Sequence, residues 1–67
     1  MKGHVKNIHE RGFGFIRADD GREYFFHFRA LAQGLPFSDQ LVERRVEFEL
    51  VEGPDNRPRA ENIRPVL

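Results

Sequence analysis

Apolar and polar residues alternate with a period of two through most of the chain, in short runs separated by turn-forming residues, and this spacing predicts strands. The first run, Val5-Lys6-Asn7-Ile8, reads as a short strand with Val5 inward. His9-Glu10-Arg11-Gly12 follows as a turn, in which Gly12 is free to take the backbone angles of a tight connection. Phe13 to Arg17 forms strand two, and Ala18-Asp19-Asp20-Gly21 carries the Asp-Gly signal of a hairpin. Strand three, Glu23 to Phe28, is therefore expected antiparallel and adjacent to strand two. Arg29 to Gln33 has room for one helical turn before Gly34-Leu35-Pro36 breaks it. A surface loop is expected from Phe37 to Gln40, and Leu41 to Arg44 enters the fourth strand through a turn. In that strand Val46, Phe48 and Leu50 alternate with Glu47 and Glu49, which puts the apolar residues inward and the glutamates out. Gly53 to Pro58 is a turn-rich loop that exposes Arg57. Ala60 to Val66 supplies the last strand, with Ile63 as its apolar position and Pro65 confining that end to an edge or a terminus. Five short strands with almost no helix predict an all-β fold, a small, closed or nearly closed antiparallel barrel.

The same parity sorts the aromatic side chains. Phe13 and Phe15 share one face of strand two, while Gly14 and Ile16 share the other. A face made of Gly14 and Ile16 can be buried if a large neighbour fills the space the glycine leaves, and Tyr24 or Phe26 on strand three can do so. Phe25 and His27 then fall on the outer face with Phe13 and Phe15, forming a patch across two paired strands. Any single phenylalanine is usually core. Seven phenylalanines and a tyrosine cannot all point into so small a barrel without overpacking it, so some must face out. Contiguous exposed rings mark a binding surface.

Composition narrows the chemistry. With 67 residues the chain is sized for one small domain, and with no cysteine it has neither disulfides nor thiolate metal sites. The start of the chain lacks the apolar run of a signal peptide and no stretch approaches a membrane span, so a soluble cytoplasmic protein is expected, without a membrane partner. His4 and His9 have no spacing that suits zinc, and the lone serine, Ser38, joins no catalytic constellation with His27. No metal, cofactor, small-molecule substrate or enzyme activity is expected. The formal net charge is zero, which argues against a grip on duplex DNA by bulk positive charge. Lys6, Arg11, Arg17 and Arg29 nevertheless lie near the ring-bearing strands, where cations can follow phosphates beside stacked bases.

Arg11-Gly12-Phe13-Gly14-Phe15-Ile16 resembles the first RNA-binding signature of the cold-shock domain family and opens as the RNP1 pattern does. Phe25-Phe26-His27-Phe28 is similar to the family's second signature. The likeness extends through the Lys6 end of strand one, the Asp-Gly hairpin, the Val46 to Leu50 strand and the Pro58 to Ile63 ending. The RRM shares the RNP1 name but needs two helices that this chain lacks. The resemblance implies one cold-shock domain over residues 1–67, with a five-stranded antiparallel OB-fold barrel. It also implies binding of single-stranded RNA or DNA, as an RNA chaperone or transcript-level regulator. It makes Phe13, Phe15, Phe25 and His27 the stacking residues, Phe28 a further contact although strict alternation sends it inward, and Lys6 a basic contact on strand one. Phe37 corresponds to an aromatic in the loop after strand three. Apart from the resemblance, Arg11 and Arg17 beside the rings and Arg57 in its exposed loop are read from their own positions as a basic fringe.

The family usually carries a Trp-Phe pair after that lysine, where this chain has Asn7 and Ile8. Each stacked base contributes about 1–3 kcal/mol, so the change implies weaker affinity or a shorter site unless His9 or Phe37 compensates. Asn7 could instead read a base edge by hydrogen bonding. The alternative function is a protein-interaction barrel whose aromatic patch docks on a partner or pairs with itself in a dimer. A monomer is expected.

Overall fold

Burial follows the alternation of the sequence closely through the second and third strands. The computed structural model describes residues 1–32 and 35–66. Strands β1 (Lys2–His9), β2 (Phe13–Ala18), β3 (Glu23–His27), β4 (Arg45–Glu52) and β5 (Pro58–Pro65) are joined in the order β1-β2-β3-β5-β4, and β4 pairs back to β1 to close a barrel. Single 3-10 turns span Phe28–Ala30 and Asp39–Leu41. Val5, Ile16, Tyr24, Phe26, Leu41, Val46, Phe48, Ala60 and Ile63 fill the interior. Fully burying a side chain such as that of Phe26 or Phe48 stabilises by about 1.5–3 kcal/mol, which makes these two rings the main apolar contribution in a core this small.

Gly14 shows why the two large rings fit. It pairs across the β2–β3 ladder with Phe26. A Cβ at Gly14 would lie 2.8 Å from the Phe26 ring and 2.5 Å from the Asn7 carbonyl oxygen. The missing side chain is the space that Phe26 occupies, so the inward face of β2 can be small while its outward face carries Phe13 and Phe15. Gly12 acts differently. Its φ of 99° lets the chain turn between β1 and β2, and its carbonyl accepts the Phe28 N–H at 2.9 Å.

Several expectations are corrected. The barrel is not wholly antiparallel, because β3 and β5 run parallel, with Phe25 opposite Arg59. Five strands cannot alternate in direction all the way round a closed ring, so one seam must be parallel. Strand three ends at His27 rather than Phe28: the His27 Nδ1 accepts the Arg29 N–H at 3.2 Å, and Phe28 starts the 3-10 turn. Phe28 therefore leaves the alternation that would have turned it inward and is 44% exposed. The helical turn anticipated over Arg29 to Gln33 is this shorter one, and the Gln33 and Gly34 positions lie outside the described residues. Leu50, expected inward, is exposed. The β4–β5 register shifts between Glu47 and Glu49, which breaks the alternation beyond Phe48. His9 belongs to β1 rather than to the following turn, and Leu41, in the second 3-10 turn, is fully buried.

Candidate nucleic-acid interface

The outer face of the barrel is built by register. On β1, Val5 pairs with Ile16 but Asn7 pairs with Phe15, so Lys6 is an extra residue in a bulge. Beyond the bulge Asn7 and His9 come to the same side as Phe15 and Phe13, while Ile8 turns in against the core. Two rows of cross-strand neighbours result. Asn7, Phe15, Phe25 and Arg59 run across β1, β2, β3 and β5, and His9, Phe13 and His27 run across β1, β2 and β3.

The rings of these rows touch. Phe13 and Phe25 stack with centroids 5.7 Å apart, and Phe15 meets both edge-on, at 6.4 and 6.0 Å. Such pairs are favourable by about 0.5–1.5 kcal/mol beyond area burial, so the patch is a preorganised surface of half-buried rings. His9 lies on Phe13 at 4.7 Å with 9° between planes. Its Nδ1 accepts the Arg11 N–H at 3.2 Å, as the His27 Nδ1 accepts that of Arg29. An Nδ1 that accepts leaves Nε2 of each ring as its outward-facing donor. A second cluster adjoins the first: Phe28 packs at 4.6 Å on His27 and at 6.1 Å on Phe37, with the Arg29 guanidinium 6.0 Å from its ring centre.

The cations divide by location. Lys6 Nζ donates to Glu23 at 2.7 Å, and Arg17 stands 4.0 Å from the same carboxylate. The Lys6 hydrogen bond, reinforced by the charges of Lys6 and Arg17, holds the Glu23 carboxyl below the ordinary carboxylate range. Arg57 lies in the β4–β5 loop, 3.9 Å from Asp55. It faces Phe15 and Phe25 across an open cavity of about 850 Å³. Arg11 is exposed in the β1–β2 turn. The structure brings Phe13, Phe15, Phe25 and His27, which parity put on one face, together on one surface; it also sets Phe28 and Phe37 beside them and Lys6, Asn7, Arg17 and Arg57 around them.

Two residues of this surface are absent from the parity reading. Arg59 sits over Phe25 with its guanidinium carbon 5.4 Å from the ring centre, and His9 extends the stack from β1. The signal for His9 is the bulge, and for Arg59 the parallel seam; neither has a local sequence mark. Among the described residues no group of three or more His, Cys, Asp or Glu is arranged to hold a metal ion, and no helix is long and apolar enough to cross a membrane.

A closed five-stranded barrel in this strand order, with rings on the β2–β3 face and arginines in the loops beside it, is the OB-fold in the form that binds nucleic acid. Residues 1–66 match the family model of the 'cold-shock' DNA-binding domain, and the chain belongs to that family of non-enzymatic, nucleic-acid-binding proteins. It is 39% identical over 64 residues to the cold shock-like protein CspC of Bacillus cereus, covering 94% of this chain and 95% of the relative. With the cold shock-like protein CspE of Buchnera aphidicola identity is 42% over 65 residues, covering 94% and 91%. The cold shock protein CspB of Geobacillus stearothermophilus is 38% identical over 64 residues, with 94% of each chain covered.

Proposed function

We propose that this chain binds single-stranded RNA or DNA as one monomeric domain over residues 1–67, in the cytoplasm, and acts as an RNA chaperone or transcript-level regulator. The observation that carries this reading is the contact of Phe13, Phe15 and Phe25 across two strands on the outer face of the barrel. Every base has a π-face, so such a surface accepts successive unpaired bases with little demand on sequence, whereas a base-paired duplex keeps those faces stacked internally. Lys6, Arg11, Arg17 and Arg57 lie where a backbone passing over the rings carries its phosphates. Chaperone action needs no further chemistry: affinity for the open strand alone pulls a weak hairpin towards its melted form by mass action.

Fluorescence anisotropy with a labelled pyrimidine-rich oligonucleotide tests this. Phe15→Ala and Phe25→Ala are each expected to weaken binding about tenfold or more. Unchanged affinity in folded variants overturns the stacking assignment. Wild-type affinity should also fall steeply with salt, because bound phosphates displace counterions. Association of the protein with itself or with a partner protein that does not weaken with salt, in the absence of salt-sensitive oligonucleotide binding, would instead identify an apolar protein contact.

A further inference from the structure

Arg59 ends the longer row of the binding face. Its guanidinium lies over Phe25, and its stem runs against Gly53, where a Cβ would come within 3.2 Å of Arg59 Cδ. Packing holds it there, not hydrogen bonding. Arg59 Nε is buried and has no acceptor among the described residues, and no carboxylate of theirs stands within ion-pair reach of the guanidinium. Buried donors are ordinarily paired, so the unpaired Nε marks a guanidinium for which the described residues supply no acceptor; the side chain is only half-buried, and its terminal nitrogens are the donors open to an acceptor that arrives with the ligand. The cavity of about 850 Å³ opens beside it, lined by Phe15, Phe25, Arg22 and Arg57 as well as by Arg59 itself. The two acids at this cavity are already engaged, Glu23 by Lys6 and Asp55 by the backbone N–H of Arg57.

We infer that Arg59 is a base-reading residue that selects guanine at the nucleotide stacked beside Phe25. The inference rests on the single-strand reading above. A guanidinium has donors only, in a planar fork, and it pairs best with two adjacent acceptors. Guanine offers such a pair in O6 and N7, whereas adenine sets an amino donor beside its N7. Cytosine also has adjacent acceptors, in O2 and N3, but on a single ring. The double ring of guanine has more surface to lay against Phe25 while its acceptor edge meets the guanidinium. The two central rings of the row, Phe15 and Phe25, offer π-faces on which any base can stack, so selectivity at this end of the row rests with Arg59.

The test is a titration with heptathymidine and with heptamers carrying one guanine, adenine or cytosine at each position in turn. At one position guanine is expected to raise wild-type affinity about tenfold, with no such gain from adenine or cytosine. Arg59→Met keeps the stem against Gly53 and should abolish the guanine gain, so that the guanine heptamers bind no better than heptathymidine to the same variant. Arg59→Lys keeps the charge without the fork and should lose the gain as well. An equal loss on every oligonucleotide in Arg59→Met would make Arg59 a phosphate contact and overturn the inference. So would a wild type that ignores guanine or prefers cytosine or adenine. A wild type that does not bind heptathymidine or any of the heptamers would strike the single-strand reading itself.

Discussion

His9 lies flat on Phe13, with ring centres 4.7 Å apart, and Phe13 stacks in turn on Phe25. The three rings come from three strands, and the bulge at Lys6 is what brings the imidazole into line. Where the family usually has an aromatic pair on strand one, this chain has a polar Asn7 and an inward Ile8, and the ring beside Phe13 is supplied one position later.

His9→Ala should therefore weaken single-strand binding about fivefold or more, the low end of a lost stacking platform. His9 is exposed, so unfolding free energy should change by less than about 1 kcal/mol. Anisotropy titration and urea denaturation of the same variant measure both effects.

Gly14→Ala should destabilise. In most extended positions alanine gains about 0.5–1 kcal/mol over glycine from lower unfolded-state entropy. Here the new methyl meets the Phe26 ring at 2.8 Å and the Asn7 backbone carbonyl at 2.5 Å. Phe26 is fully buried and the carbonyl belongs to the paired strand, so neither yields cheaply. Overpacking of this kind costs about 1–3 kcal/mol and should win, lowering the urea midpoint.

Glu23→Gln should tighten binding and steepen its salt dependence. In the free protein Glu23 occupies the Lys6 ammonium at 2.7 Å and attracts Arg17, so both cations are partly neutralised. Removing the carboxylate frees Lys6 for one more phosphate. The slope of log affinity against log salt should become more negative by about 0.7, the single-strand value per phosphate. In a Lys6→Ala background the Glu23 change should give a smaller gain, the part that comes from Arg17 alone.

Acid should loosen the barrel through Asp19. The side-chain hydrogen bond from Arg45, at 2.7 Å, holds the Asp19 carboxyl below the ordinary aspartate range. A carboxyl whose folded pKa is depressed contributes stability that is fully present above its unfolded pKa, near pH 4, and is lost as pH falls through the folded value. Glu23, depressed by Lys6, adds a contribution of the same sign. Thermal melts from pH 6 to pH 2 should show the decline, and Asp19→Asn should flatten it.

How much of this was legible from the sequence depends on the range of the interaction. Parity within a strand is local, and it placed Phe13, Phe15, Phe25 and His27 on one face, together with the bulk of Phe26 opposite Gly14, because a pleated backbone sends successive side chains to opposite sides wherever it is regular. The resemblance in the two ring-bearing motifs carried the family. Strict alternation misplaced Phe28 and Leu50, each just past an irregularity: a 3-10 turn capped by His27 in one case and a register shift in the other.

The tertiary structure decided what depends on strands far apart in the chain. The bulge at Lys6 set which residues of β1 stand beside Phe13, and so made His9 part of the surface. Closure with an odd number of strands forced one parallel seam, and that seam brought Arg59 against Phe25 across 34 positions of sequence, the difference between their residue numbers. Alternation says which side of a strand a residue faces. Only the pairing of strands says what it faces there, since register is fixed by the fit of the whole barrel and by no single run of residues.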